Sequence, residues 1–176
     1  KFRQPYIARQ VRVTVPVHLA ALSWTTFQLL EGKAPHHDGL FQNGVIDTPF
    51  VTLSIDDGLT LYDKTTNEAY EDFLRFEDRG DIGNEYIYFQ PKGTEPIYAE
   101  LTAYEVLENN ARYAKILLKH DLTIPVSADE QLDAEQRGII EFMNRKASRS
   151  EELTTIPLET EMTIFVDDPQ IRFKTR

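Results

Sequence analysis

The ten residues 76–85 contain four carboxylates, Glu77, Asp78, Asp81 and Glu85. Glycosidases use a pair of carboxyl groups as general acid and nucleophile, so a cluster of this kind could supply that chemistry. A solvated loop, in which the aspartates accept hydrogen bonds from their own backbone, accounts for the same residues. Because charge clusters usually form solvated faces, the residue types alone favour the loop over a catalytic pair.

A second candidate is the run His36-His37-Asp38, which invites a metal-site interpretation. Adjacent side chains on an extended loop point in opposite directions, and no third ligand stands at a suitable spacing, so we predict an exposed loop. The chain has no cysteine, which excludes disulfides, thiolate metal sites and thiol nucleophiles. The sequence therefore predicts no metal, no cofactor and no catalytic residue within this chain.

Aromatic side chains are a third candidate, because their faces suit the apolar side of sugar rings. Aromatic residues also dominate the interior of β-sandwiches, so we predict that most of them lie in the core. The exception is Tyr86, which follows a glycine-bearing loop at the start of a predicted strand, Tyr86–Phe89. Gly80 and Gly83 allow positive φ there and a tight turn. The aromatic residues considered are Trp24, Phe27, Tyr86, Tyr88, Phe89 and Tyr98.

The elements that position these residues are mostly strands. Val51, Leu53 and Ile55 alternate with polar residues, and Asp56-Asp57-Gly58 then supplies a hairpin turn before Leu59–Tyr62. Evenly spaced strands without alternating helices predict a mainly β fold, an antiparallel β-sandwich. The other predicted strands are Val11–Val17, Leu22–Leu30, Ile97–Leu107, Arg112–Leu118, Leu122–Val126, Leu153–Leu158, Met162–Val166 and Ile171–Phe173.

One segment departs from the β pattern. Ser127-Ala128-Asp129-Glu130 has the form of a capping box, and the apolar residues that follow fit an amphipathic helix near 128–144. Gly138 stands in the middle of that range and weakens it. We expect the following segment, Arg145–Glu152, to be a charged linker.

Composition narrows the classes of protein to consider. The 176 residues are 41% hydrophobic and carry a formal net charge of -10, which predicts one packed region over 1–176 and disfavours binding to nucleic acid or to an anionic membrane. No apolar run approaches the ~20 residues that span a bilayer. No signal peptide is recognisable, which predicts a cytoplasmic location. The sequence leaves open whether copies of the chain associate as a homo-oligomer.

An ordered set of motifs carries a resemblance to a known family. It is clearest between Asp57 and Pro91, where the polar loop and its flanking hairpin resemble the sandwich region of the family 38 glycoside hydrolases, the α-mannosidases. The motifs are Asp57-Gly58-Leu59, Asp63-Lys64, Phe76-Glu77-Asp78-x-Gly80-Asp81-x-Gly83-x-x-Tyr86 and Pro91, preceded by Pro16-Val17 and Leu22-x-Trp24-x-Thr26-Phe27.

The resemblance implies a galactose-mutarotase-like supersandwich that is part of a larger retaining, zinc-dependent α-mannosidase acting on mannose-containing glycans. The nucleophile, acid/base and zinc ligands of the family lie in an α/β domain that nothing in this sequence matches. The chain is then expected to be inactive alone, to support that domain and to complete its substrate pocket. The motif implies that Tyr86 reaches the mannose pocket, with Asp81 as a second substrate-binding residue.

Two other classes of function remain open on the sequence. A free-standing carbohydrate-binding or adhesion module would use the same aromatic residues without hydrolysis, and a purely structural interaction domain would use none of them for sugars. The gene context distinguishes these classes, because a long upstream segment with His-x-Asp zinc ligands favours the mannosidase.

Overall fold

The computed structural model describes residues 13, 15, 17–28, 30, 32, 37–55 and 58–176. The chain divides into two compact units, Lys1–Pro35 and His36–Arg176. The prediction of a single region over 1–176 stays a prediction. Among the described residues, no helix is both long enough and apolar enough to cross a membrane.

In the first unit, none of the described residues lies in a strand. The chain turns at Leu22, which has a φ of 57°, and Ser23 donates its backbone N–H to the carbonyl of Ala20 at 3.2 Å. The predicted strand Leu22–Leu30 is therefore wrong for 22–28 and for 30, because a strand needs a paired backbone and no described residue of this unit supplies one. Trp24 and Phe27 are exposed and do not form the expected core.

The predicted strand Val11–Val17 falls partly outside the described residues. Val13, Val15 and Val17 are described, and all three are exposed and outside any strand. Residues 11, 12, 14 and 16 lie outside the described part of the chain, so the prediction for them stays untested.

The described residues of the second unit form two larger antiparallel sheets, one two-stranded ribbon and one α-helix. The first sheet runs in chain order, with strands β1 Phe41–Gln42, β2 Val45–Asp47, β3 Val51–Ser54, β4 Thr60–Asp63 and β5 Glu68–Tyr70. The ribbon pairs β6 Glu77–Asp78 with β7 Ile97–Tyr98. The second sheet has the order β11-β10-β9-β8, from β8 Glu100–Asn109, β9 Tyr113–Pro125, β10 Leu153–Phe165 and β11 Ile171–Thr175.

The two larger sheets share one hydrophobic core, as predicted for a sandwich. Alternate residues of β3 are buried, which confirms the period-two pattern at Val51 and Leu53, and β4 follows as the second arm of the predicted hairpin. A strand buries every second side chain when one of its faces covers a core. The core contains Ile46, Val51, Leu53, Ile55, Leu59 and Leu61 from the first sheet side, and Ala114, Ile116, Leu118, Met162 and Ile164 from the second.

Two long strands were each predicted as two short ones. β9 is continuous through Lys119, His120 and Asp121, and it joins the predicted strands Arg112–Leu118 and Leu122–Val126. These polar residues interrupt the run of apolar residues, but they keep the alternation of the strand, because His120 is buried on the inward face whereas Asp121 is exposed. β10 is likewise continuous across Thr160, which is fully buried. Between the predicted strands Ile97–Leu107 and Arg112–Leu118 the chain forms a hairpin at Asn109-Asn110, across which β8 pairs with β9.

His120 is a buried titratable group in this sheet, with 5% of its surface exposed. Its ring meets the Phe76 ring edge-on, with centroids 5.3 Å apart. Its Nδ1 atom has no hydrogen-bond partner among the described residues. Burial lowers the pKa of His120, because the charged imidazolium loses its hydration.

We expect this histidine to make the fold acid-sensitive. The unfolded chain takes up the proton with the ordinary pKa of 6.5, and the folded chain does so only at lower pH. The free energy of unfolding therefore falls as pH drops below 6.5, by at most about 1.4 kcal/mol per pH unit. Urea unfolding of His120→Leu and wild type between pH 7.5 and 5 measures the difference. The variant should lose part of the pH dependence, whereas a His37→Gln control on an exposed residue should keep it. Parallel pH curves for His120→Leu and wild type would contradict the assignment.

The helix α1 spans Glu130–Arg137 and is shorter than the predicted 128–144. Asp129, not Ser127, is its N-cap, because its carboxylate accepts the N–H of Gln131 at 3.2 Å. The helix ends at Gly138, and a short 3-10 turn follows at Phe142–Asn144. Its buried residue is Glu135, so the predicted apolar face at Ile139 and Met143 is wrong.

The end of α1 is a Schellman motif. The N–H of Ile140 donates to the carbonyl of Glu135 at 2.9 Å, and the N–H of Ile139 donates to that of Gln136 at 3.1 Å. The position after the C-cap adopts left-handed geometry and usually carries glycine. Here it is Ile139, with a φ of 54°, while Gly138 has a φ of -78°.

Candidate functional site

The residues predicted as a site form a closed loop, residues 81–89, which we call the Asp81 loop. The N–H of Ile82 donates to the carbonyl of Phe89 at 2.8 Å. The Asp81 carboxylate accepts the N–H groups of Gly83 and Phe89 at 2.7 and 2.9 Å. The predicted strand Tyr86–Phe89 is therefore wrong, because the loop satisfies these backbone groups internally and needs no sheet partner.

The tip of the loop is held by a second side chain. Asn84 Oδ1 accepts the N–H groups of Tyr86 and Ile87, both at 2.9 Å, and the N–H of Asn84 donates to the carbonyl of Ile87 at 3.0 Å. Tyr86 is 85% exposed at this tip, and Tyr88 is also exposed. The structure thus places Tyr86 on a hydrogen-bonded loop, where its phenol is available for contact, and places Asp81 at the base of the loop.

The two glycines of the motif serve different purposes. Gly80 has a φ of 70°, as the sequence predicted. Gly83 does not have positive φ; a Cβ atom at this position would overlap the carbonyl oxygen of Ile87. Gly83 is therefore needed for the close approach of the two sides of the loop, since any side chain would push them apart.

The four carboxylates of residues 76–85 have different environments. Glu77 binds Arg79, with Oε1 and Nε 2.9 Å apart, and Asp78 binds Arg149. Asp81 binds its own loop, and Glu85 is exposed. The interpretation as a loop bonded to its own backbone therefore describes Asp81, whereas Glu77 and Asp78 form ion pairs.

Residues 145–149, which we call the clasp, attach the Asp81 loop to the rest of the second unit. Arg145 is only 8% exposed, and its guanidinium donates to the carbonyls of Ile82, Gly83 and Ile140. The same guanidinium lies 4.5 Å from the centroid of the Phe142 ring. The prediction that Arg145–Glu152 is a charged linker is therefore wrong at Arg145, because backbone carbonyls bind this buried arginine.

The clasp is itself fixed by α1. The Glu135 carboxylate accepts the N–H groups of Lys146 and Ala147 at 2.8 and 3.2 Å, and Asp129 accepts that of Ser148 at 3.0 Å. Burial opposes the ionisation of Glu135, but these N–H groups, with the Gln131 amide and the charge of Arg145, outweigh it and lower its pKa. A carboxylate is thus retained on the helix to bind backbone. Sequence reasoning missed this role, although a glutamate on the inward side of a short helix was a usable signal.

An apolar corner, Ile139, Ile140 and Met143, lies next to the clasp. It lines an open cavity of about 490 Å³, together with Phe142 and Arg145. The Phe142 ring stacks on Phe89 with centroids 6.3 Å apart, so the corner and the Asp81 loop are neighbours. Lys92 also donates to the carbonyl of Met143 at 2.8 Å.

The predicted exposed loop at 36–38 is described from His37 onward. His37 and Asp38 are both exposed, and His36 lies outside the described residues. Within the described ranges, no group of three histidine, cysteine or carboxylate residues is arranged to hold a metal ion. The prediction that this chain holds no zinc stays a prediction.

Comparisons with known proteins agree on one family. A model described as "Glycosyl hydrolases family 38 C-terminal domain 1" matches residues 1–31. A protein from Halalkalibacterium halodurans, provisionally named mannosylglycerate hydrolase, is 30% identical in an alignment 177 positions long that covers 93% of this chain and 19% of the relative.

Two solved structures from Enterococcus faecalis are each 34% identical to this chain. One is an α-mannosidase of strain V583, with a TM-score of 0.72 over 81% of this chain and 17% of its own. The other is a glycosyl hydrolase family 38 protein, with a TM-score of 0.73 over 82% of this chain and 18% of its own. The chain thus spans about a fifth of the length of these relatives.

The sandwich fold and these matches show that the chain is similar to part of the glycoside hydrolases. More narrowly, the matches relate it to the C-terminal region of family 38.

Proposed function

We propose that this chain is the non-catalytic β-sandwich portion of an α-mannosidase that hydrolyses terminal α-mannosyl linkages in glycans. In this proposal it supports a catalytic α/β domain and completes the rim of the substrate pocket with Tyr86. The parent enzyme is a retaining glycosidase, and its zinc and catalytic carboxylates lie in that other domain. The proposal assigns the whole enzyme, including this chain, to the cytoplasm.

The observation that carries the proposal is the presentation of Tyr86. The phenol is exposed at the tip of a loop whose backbone is fixed by Asp81, Asn84 and Arg145, so the backbone position of Tyr86 is set before any partner arrives. A hydroxyl presented in this way can donate to or accept from a sugar oxygen. Glu77 and Asp78 bind arginines and Asp81 binds backbone, which suits a positioning surface better than a catalytic centre.

Substituting Tyr86 with phenylalanine in the full-length enzyme tests the proposal. The change removes only the hydroxyl. Losing a hydrogen bond that strengthens in the transition state raises the activation free energy by ~1.5–3 kcal/mol, which lowers kcat/KM by about ten- to 150-fold. Kinetics with an aryl α-mannoside, recorded with the melting temperature, measure it. Tyr70→Phe is the matched control, since Tyr70 is a partly exposed tyrosine on β5. Wild-type kinetics for Tyr86→Phe would overturn the proposal.

A free-standing carbohydrate-binding module is the alternative, and two exposed tyrosines at positions 86 and 88 favour it. In that case the isolated chain binds mannosides by itself. NMR titration of the isolated chain with methyl α-mannoside separates the two functions, because the mannosidase proposal expects binding only when the catalytic domain is present.

A further inference from the structure

We propose that the apolar corner, Ile139, Ile140 and Met143, is an interface that docks on an apolar surface of the remaining part of the same family 38 polypeptide. The proposal rests on the proposed function for the identity of that partner. The proposed interface does not include Tyr86. The evidence for it is the backbone strain at Ile139 together with the exposure of the apolar side chains of the corner.

The strain lies at Ile139. A β-branched residue in left-handed geometry brings its side chain against the backbone, at a cost that glycine at the same position avoids. Ile139 has a φ of 54°, and 89% of its surface is exposed. Among the described residues, nothing covers this side chain to compensate for the strain. Both the strained backbone and the exposed apolar side chain are unfavourable for the chain alone. Burial of Ile139 by a partner accounts for its presence at this position.

The neighbouring residues extend the same surface. Met143 is 69% exposed and Ile140 is 40% exposed, and both line the open cavity beside the clasp. Clustered exposed apolar side chains of this kind mark interaction sites in soluble proteins. Methionine adapts its shape to a partner more easily than branched residues do.

The similar solved structures indicate which occupant to expect. Chains of the Enterococcus faecalis proteins match this fold over only 17 and 18% of their own lengths, so in those proteins most of the polypeptide lies outside it. An interface with another domain of one polypeptide needs no additional protein. The corner is also joined to the Asp81 loop by the stacked rings of Phe89 and Phe142, so docking here would hold Tyr86 against the same partner.

The two methionines of the chain provide an internal experiment. Met143 is exposed, whereas Met162 is fully buried in the sandwich core. Hydrogen peroxide converts accessible methionine to the sulfoxide, which peptide mass spectrometry measures at each site. In the isolated chain Met143 should oxidise rapidly and Met162 slowly. In the full-length enzyme we expect Met143 to be protected at least tenfold, with Met162 unchanged.

Equal oxidation of Met143 in both forms would overturn the proposal. Protection that appears in the isolated chain and rises with its concentration would also overturn it, because the occupant would then be a second copy. The oxidation measurement needs no substrate. It can therefore support the interface even when Tyr86→Phe leaves the kinetics unchanged, so failure of the proposed function and failure of the proposed interface are distinguishable.

A second variant tests the strain itself. Ile139→Gly relieves the left-handed geometry, so the isolated chain should melt about 2–4 °C higher. In the full-length enzyme the same change removes a buried contact, and the corner should become less protected, with faster oxidation of Met143. A rise in melting temperature without any change in Met143 oxidation would show that Ile139 makes no contact there, which contradicts the interface.

Discussion

Leu118→Ala should lower the free energy of unfolding of this chain by about 3–4 kcal/mol, which is a large part of the stability of an ordinary domain. Leu118 is fully buried on β9, between the register partners Tyr104 of β8 and Thr160 of β10. Its side chain belongs to the core shared by both larger sheets. Truncation removes buried methyl groups and leaves a cavity that two hydrogen-bonded sheets cannot readily close.

Urea unfolding followed by far-UV circular dichroism measures this loss. Leu153→Ala is the matched control, because Leu153 is an exposed leucine at the start of β10. We expect this variant to change the free energy of unfolding by less than about 1 kcal/mol. Similar losses for both variants would mean that the two larger sheets do not enclose a common core around Leu118.

The sandwich core was predictable because period-two burial is a property of each strand by itself. Val51, Leu53 and Ile55 read as one apolar face, and all three are buried. The length of β9 was not predictable in the same way. A buried histidine at 120 breaks the hydrophobic pattern, although its position still obeys the alternation. A prediction from the alternation of apolar and polar residues divides a strand in two where one of its inward positions carries a polar residue.

The Asp81 loop was predicted in part. Its polar first half was expected to bond its own backbone, and Asp81 does so. Its aromatic second half was expected to form a strand from β propensity, but Asn84 and Asp81 satisfy the backbone N–H groups of Tyr86, Ile87 and Phe89 instead. Side chains that bind local backbone compete with sheet pairing, and here they prevail over the propensity of the aromatic residues.

The clasp could not be predicted from its own residues. Arg145 and Arg149 read as members of a solvated charged segment, and their partners, Ile82 and Asp78, lie more than sixty residues earlier in the chain. An arginine becomes buried only where carbonyls or carboxylates from elsewhere meet it. No local pattern contains that information, and the loop that carries Tyr86 depends on it.

Arg145→Met should therefore release the Asp81 loop while leaving the sandwich folded. Methionine keeps an unbranched apolar stem but removes the donors that bind the carbonyls of Ile82 and Gly83. Hydrogen bonds from a charged group are worth about 1.5–3 kcal/mol each, so amide hydrogen exchange of the loop should accelerate by about ten- to 150-fold. The amides to follow by NMR are those of Gly83, Ile87 and Phe89, with core amides of β9 as the internal reference.

Arg137→Met is the matched control for this change, because Arg137 lies at the exposed end of α1 and its partner among the described residues is Asp133, one turn earlier, at 3.5 Å. It should leave amide exchange of the loop unaltered. The exchange rate of Arg145→Lys should fall between those of the two methionine variants, since a lysine donates from one point and cannot bind several carbonyls.

In the full-length enzyme, a double-mutant cycle connects the clasp to the proposed function. If Arg145 acts by holding Tyr86 in place, Arg145→Met lowers kcat/KM in the wild-type background and lowers it no further in the Tyr86→Phe background. Additive losses would mean that Arg145 affects catalysis by a route independent of the Tyr86 hydroxyl, and unchanged loop exchange would mean that the clasp does not hold the loop.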